Sequence, residues 1–183
     1  MRSVKNCYIA VAALLFLGLP ASGQGDRSVL TAFEGRVKEY SSLREQLETK
    51  LPKLPKKTTP EQIEQHKADL LRSVQTARAG AKHGDIFTPQ ASATIRTIIK
   101  TEMKGRERRE FRETVFEAET KGVPVKVNAA YPESKELTEM PPSLLLALPQ
   151  LPKQVRYRFV GTNLLLVDRE NNLIIDYMPR ALP

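Results

Sequence analysis

The closing stretch "YRFVGTNLLLVDRENNLIIDYMP", residues 157–179, decides the fold of this chain. From Val155, two residues before this stretch, to Phe159 within it, apolar residues alternate with Arg156 and Arg158. A period of two is typical of a strand that has one buried face and one face in water. The stretch therefore predicts a strand at the start of a sheet.

Two more strands follow in the same stretch. A tight turn bracketed by Gly161 and Asn163 leads into the apolar run "LLLV", and the polar "DRENN" separates that run from "LIID". Short apolar runs joined by such turns predict an antiparallel meander. The continuous runs indicate strands covered on both faces, or one face lying against helices, and a three-stranded sheet alone would be marginal.

The chain before residue 122 has helical periodicity. Between Arg27 and Leu51 apolar residues recur every three or four places, as one stripe of a helix requires. Thr59, Pro60 and Gln62 then match a capping box with proline in the first turn, which predicts the start of a second helix. These two helices are expected to pair antiparallel.

Two more helical segments are predicted before the sheet. Thr88 and Pro89 repeat the start signal, and the charged stretch after Gly105 is helical by composition and ends at Gly122. A bend at Gly105 and one long helix with an exposed middle are both open interpretations.

The following segment is rich in proline. Val123 to Val127 alternate as a half-buried edge strand does, and Pro141 to Ser143 open a short helix that extends to Leu148.

The predicted fold class is α+β, with about four antiparallel N-terminal helices, a Pro-rich connector, and a small C-terminal antiparallel β-meander packed on the helices. The predicted divisions are 1–23 as signal peptide, 24–122 as helical part, 123–152 as connector and 153–183 as meander, with 24–183 as one cooperative domain.

The first residues, "MRSVKNCYIAVAALLFLGLPASGQG", have the order of a secretory signal peptide. Arg2 and Lys5 precede an apolar run at 8–19, which is shorter than the ~20 residues of a spanning helix. We expect cleavage after Gly23, no transmembrane anchor after cleavage, and a periplasmic or secreted protein.

The mature chain predicted in this way is basic and free of cysteine. The leader contains Cys7, which is the single cysteine of the sequence. It also contains two of the 29 basic residues and none of the 21 acidic ones, so the remaining 27 basic and 21 acidic residues give a net charge of +6. Disulfides and thiolate chemistry are thereby excluded from the mature chain. The charge favours anionic surfaces, and export makes nucleic acid a poor partner. An anionic envelope component or another envelope protein is the expected partner.

No pattern in the sequence indicates a cofactor or a known catalytic motif. The chain has no Gly-x-Ser-x-Gly and no Gly-rich phosphate loop, and His66 and His83 are far apart in sequence. Asp168 and Asp176 flank "DRENN" and are candidate cation ligands. Because a calcium loop needs six to eight oxygens, and Asp and Asn also favour turns, the turn interpretation is preferred.

A basic stripe is a candidate anion-binding surface. Basic residues recur every fourth position, and on a continuous helix such residues lie one above another. A solvated helix face laced with ion pairs is the alternative. The stripe comprises Arg96, Lys100, Lys104, Arg108 and Arg112.

The motifs "DIFTPQ", "VNAAYPE", "MPPSLLLALPQLP" and the closing "YRFVGTNLLLVDRENNLIIDYMPRAL" resemble a group of uncharacterised exported bacterial proteins of acidobacteria and proteobacteria. The resemblance covers about half of the mature chain and implies no functional residue. The closing strand pair is also loosely similar to the end of periplasmic proteins of metal homeostasis, but this chain lacks their histidine-rich segment.

Three functions follow as hypotheses. The first is an exported non-enzymatic binding or interaction module of the bacterial envelope. The second is a hydrolase whose carboxylates are assembled only by the fold, and the third is a cation-binding accessory protein.

Overall fold

The computed structural model describes residues 22–118, 122–132 and 140–182, where helices are followed by an antiparallel sheet. The predicted α+β class is confirmed. The predicted signal peptide lies outside the described residues except at its end, where the first helix begins. No helix in the described part is both long and apolar enough to cross a membrane. The elements are α1 Ser22–Glu48, α2 Pro60–Ala77, α3 Pro89–Glu102, α4 Gly105–Glu117, α5 Pro142–Ala147, β1 Val155–Val160, β2 Asn163–Asp168 and β3 Ile174–Met178.

The predicted start signals act as N-caps. The Thr59 hydroxyl accepts from the Gln62 amide at 3.4 Å, and the Gln62 side chain accepts from the Thr59 amide at 3.0 Å. The Thr88 hydroxyl accepts from the Ala91 amide at 3.2 Å. These bonds satisfy backbone donors that have no partner inside the helix, so both starts are fixed locally.

Helices α3 and α4 are separate, which decides between the two interpretations at Gly105. Met103 closes α3 in an extended conformation, with φ −96° and ψ 98°. Gly105 then has φ +57°, a left-handed value that glycine adopts without steric cost. The basic stripe is therefore divided between two helices.

The meander is confirmed in strand order and direction. The sheet has the order β1-β2-β3, with β1 and β3 both antiparallel to β2. Phe159 lies opposite Leu164 next to the turn, and Val155 lies opposite Asp168 at the other end. The second turn contains Asn172 with φ +51°, a conformation that asparagine tolerates better than most residues.

Both faces of the sheet are covered, as its continuous apolar runs predicted. The face that includes Phe159, Leu164 and Ile175 joins one apolar cluster with residues of α1 to α5. The opposite face packs under Val123 and Tyr131 of the connector and is formed by Val160, Leu165, Val167 and Ile174. Helices and sheet therefore share a core.

The connector differs from its prediction. Residues 123–127 form no strand, because Pro124 has no amide proton and Lys126 donates back to the Pro124 carbonyl at 2.9 Å, as in a tight turn. A single antiparallel bridge joins Ala130 to Leu173 instead. The segment covers the sheet by side-chain packing rather than by extending it.

The short helix α5 is confirmed, but only some of its leucines enter the core. Leu144 and Leu148 are buried, at 0% and 2% exposure, whereas Leu145 and Leu146 are 45% and 82% exposed. The exposed pair is not needed for the core.

Removing the residues after Gly161 is predicted to unfold the whole chain, not the sheet alone. The deletion exposes the helix-facing core that β2 and β3 cover, at a cost of about 1.5–3 kcal/mol for each large apolar side chain uncovered. Far-ultraviolet circular dichroism of the truncated chain should lose its helical signal. A truncated chain that keeps a cooperative helical melt would contradict the single-domain prediction.

Candidate functional site

The Asp168 carboxylate is fully buried at the end of β2 and links the sheet to α1. Its Oδ2 accepts from the Tyr40 hydroxyl at 2.7 Å and from Arg44 Nε at 3.1 Å. Its Oδ1 accepts from the amides of Glu170 and Asn171, at 3.0 and 3.2 Å, within the "DRENN" turn. One carboxylate therefore shapes the turn and anchors it to a helix.

Arg44 is the charged partner of Asp168 and is 4% exposed. It also pairs with Glu48 at 2.6 Å and with Glu170. Burial alone would lower the pKa of Arg44, but the surrounding carboxylates raise it. Burial, and then Asp168, raise the pKa of Tyr40, so the hydroxyl stays protonated and donates to the carboxylate.

The Asp176 carboxylate in β3 is also fully buried and binds the loop before α3. Its Oδ2 accepts from the amides of Ile86 and Phe87, at 2.9 and 2.8 Å. Its Oδ1 accepts from Gly84 at 3.0 Å and from Tyr177 at 2.8 Å. Loop and strand are therefore held together by hydrogen bonds to one charged group, which are stronger than neutral ones.

These contacts bear on the predicted cation ligands Asp168 and Asp176. Both carboxylates are surrounded by N–H and O–H donors, which a metal ion would have to displace. Among the described residues no group of three or more His, Cys, Asp or Glu side chains has the arrangement of a metal site. The two histidines are apart: His66 lies on α2, and the His83 ring packs on Tyr177 with centroids 4.2 Å apart. Asp168 fits the turn interpretation, because its Oδ1 accepts from backbone amides of the turn. Asp176 lies in β3 and holds the loop before α3 instead.

The basic stripe is not one surface. Arg96 is tied to the C-terminus, where its guanidinium donates to the carbonyls of Pro179 and Arg180, at 2.9 and 3.2 Å. Arg112 lies over the Phe116 ring at 5.2 Å from its centroid. Lys100, Lys104 and Arg108 are exposed on either side of the break. An anion-binding role of the stripe stays a prediction.

A cavity of about 450 Å³ lies beside the buried Arg44–Asp168 pair. Its carboxylates are already engaged: Glu48, Asp168 and Glu170 contact Arg44, and Glu45 accepts from Gln154 at 2.5 Å. The cavity is lined by Arg44, Glu45, Glu48, Lys153, Gln154, Asp168, Arg169 and Glu170.

A second concavity, here called the basic groove, lies between α5 and the edge strand β1 and has a volume of about 360 Å³. Among the residues that the structure describes, the charged ones that line it are all cations. Exposed Leu145 and Leu146 form part of one wall. The cations are Lys153, Arg156, Arg158 and Arg169.

Local structure explains how these cations gather. Arg156 and Arg158 alternate with the buried residues of β1 and leave the helix-facing core, while Arg169 follows β2 across the hairpin. Arg169 Nε donates to the Val155 carbonyl at 3.3 Å, and Arg158 Nη1 donates to the Tyr157 carbonyl at 2.9 Å. Charged side chains on an edge strand oppose pairing with other strands. The alternation along β1 is visible in the sequence, but the cluster of cations is not, because the hairpin assembles it.

Comparison with protein-family models, with curated proteins and with solved structures finds no match to this chain.

Replacement of Asp168 by Asn is predicted to lower the free energy of unfolding by about 3 kcal/mol, the lower end of the cost of breaking a buried ion pair, because Arg44 loses its fully buried partner and keeps only the more exposed Glu48 and Glu170. Asp69→Asn is the matched control, since Asp69 pairs with Arg72 at the surface, where ion pairs contribute about 1 kcal/mol or less. Urea denaturation measures both. Equal losses would show that the Asp168–Arg44 contact has no special role.

Millimolar calcium or zinc is predicted to leave the melting temperature unchanged, because donors already surround both buried carboxylates. Thermal melts with each ion and with a chelator test this expectation. A rise in melting temperature that Asp168→Asn abolishes would support the cation-binding hypothesis instead.

Proposed function

We propose that the chain is an exported, non-enzymatic binding module of the bacterial envelope whose ligand is anionic. The basic groove is the proposed binding surface, and the observation that carries the proposal is its uniform charge. Four cationic side chains line one concavity, and none of its other lining residues in the described ranges is acidic. The leader pattern and the resemblance to exported bacterial proteins support the location.

Three of the groove cations form no ion pair with a described carboxylate. Within the described ranges, Lys153, Arg156 and Arg169 take part in no ion pair, although ion pairs occur on α1, α2 and α4. Arg156 donates instead to the neutral amide oxygen of Asn172 at 2.6 Å. An anionic ligand would supply the missing charge, and arginine's planar fork suits phosphate and carboxylate groups.

Crowding of the cations supports the same proposal. Burial, and then the charge of Arg169, lower the pKa of Arg156. Like charges held close together destabilise one another, so a bound anion would relieve that repulsion. The crowded cations therefore lower the stability of the free protein, and this favours the complex with a bound anion.

The hydrolase hypothesis receives less support. The fold does bring Glu45, Glu48, Asp168 and Glu170 to one cavity, but each of them already accepts a hydrogen bond from a donor of the protein. General acid–base catalysis needs a carboxyl group that can exchange a proton with a substrate. These carboxylates act as structural partners of Arg44 and its neighbours.

The double variant Lys153→Gln, Arg169→Gln is predicted to bind polyphosphate at least about tenfold more weakly than the parent, since each cation near an anionic surface contributes about 1 kcal/mol. Both side chains are exposed, so the melting temperature should not change. Isothermal titration calorimetry at low ionic strength measures the affinity. Binding by the parent should also fall as salt rises, because ions screen exposed charges.

Two matched variants remove the same number of charges elsewhere. Arg36→Gln, Lys38→Gln changes exposed residues of α1, and Arg108→Gln, Arg112→Gln changes the α4 part of the basic stripe. The α1 variant should bind like the parent. Equal weakening by all three would mean that net charge alone controls binding, and parent-like binding by the groove variant would remove the groove from the proposal.

A further inference from the structure

The end of α5 has an apolar feature that the charge of the groove does not explain. Leu146 is 82% exposed and its neighbour Leu145 is 45% exposed, while the other two leucines of the segment are buried. Large apolar side chains scattered singly on a surface are common. Two adjacent ones at the wall of a cationic groove are a different arrangement, because they place apolar and cationic contacts next to each other.

Cations line the same groove as this leucine pair, and others lie on the neighbouring helix α4. Lys153, Arg156 and Arg169 line the groove on its β1 side. Helix α4 contacts the first turn of α5, where the Ser143 hydroxyl donates to Glu107 Oε1 at 3.1 Å. That helix carries exposed Arg106, Arg108 and Arg109 close to Glu107 in sequence. The leucine pair therefore shares a concavity with the groove cations, and α4, which carries further exposed arginines, contacts the start of the same short helix.

We infer that this surface docks onto a bilayer of anionic phospholipid, with Leu145 and Leu146 entering the interface and the neighbouring cations contacting headgroup phosphates. The inference rests on the proposed function and names its ligand. Charge complementarity between the cations of this surface and an anionic leaflet supports it. Apolar side chains beside Lys and Arg are also the composition of interfacial membrane contacts.

The exposure of Leu146 favours a bilayer over an acidic protein segment. A segment lying in the groove contacts its walls, but a side chain that is 82% exposed stands out from the surface. A bilayer interface covers a protruding side chain without a preformed pocket, whereas a folded partner needs one of matching shape. Burying a leucine is favourable by about 1.5–3 kcal/mol in transfer measurements, which corresponds to roughly a tenfold change or more in partition.

Flotation with vesicles tests the inference on the full mature chain. The parent should float with vesicles of phosphatidylglycerol and phosphatidylcholine and should not float with phosphatidylcholine alone. The variant Leu145→Ser, Leu146→Ser should partition about tenfold more weakly into the anionic vesicles and should keep the parent's affinity for polyphosphate and its melting temperature. Ile63→Ser is the control for loss of an exposed apolar side chain, since Ile63 is 39% exposed on α2.

The outcomes separate this inference from the proposed function. Polyphosphate binding without vesicle binding would overturn the inference and leave the proposed function standing, and loss of both in the parent would overturn both. Equal flotation of parent and leucine variant would overturn the inference. Saturable binding to polyglutamate that requires the two leucines, without vesicle binding, would assign the surface to an acidic protein instead.

Vesicle binding that requires Lys53, Lys56 and Lys57 rather than the groove would also overturn the inference. These exposed lysines flank Leu54, which is 42% exposed. The triple variant to Gln should float with anionic vesicles more strongly than the variant Lys153→Gln, Arg169→Gln, although it removes one more positive charge.

Discussion

Burial of the Asp168 and Asp176 carboxylates between sheet and helices is the constraint on which the arrangement of the chain depends. A buried charge is tolerated only where donors surround it, and here most donors come from the helical part: Tyr40 and Arg44 of α1, and the amides of Ile86 and Phe87 before α3. Apolar packing positions the sheet on the helices through shape. The two carboxylates add a second condition, since each must face its particular donors.

Much of the fold can be predicted from local sequence. The Thr59 capping box fixes a helix start within four residues, and alternation along β1 identifies its buried face, so both features are visible without tertiary information. The segment at 123–127 is the contrary case. Its alternating valines are typical of a strand, but the missing amide proton of Pro124 and a tight turn prevent pairing. Val123 and Val125 pack on the sheet through their side chains instead.

The candidate sites could be predicted only in part. Asp168 and Asp176 were identifiable as unusual residues in a strand region, but their donors lie about 90 to 130 residues away in sequence, which no local pattern reveals. The basic groove depends on the hairpin, which brings Arg169 beside Arg156 although thirteen positions separate them. The stripe was predicted on the assumption of a continuous helix, and the left-handed Gly105 divides it.

Native-state hydrogen exchange of the Ile86 and Phe87 amides tests most directly whether the buried carboxylates join sheet and helices into one unit. Both amides donate to Asp176, so they should exchange only through the global unfolding that also exposes the β2 amide of Leu165. Their exchange free energies should then equal that of Leu165 and should fall below it in Asp176→Asn. Rapid local exchange of Ile86 and Phe87 in the parent, with Leu165 still protected, would contradict this account.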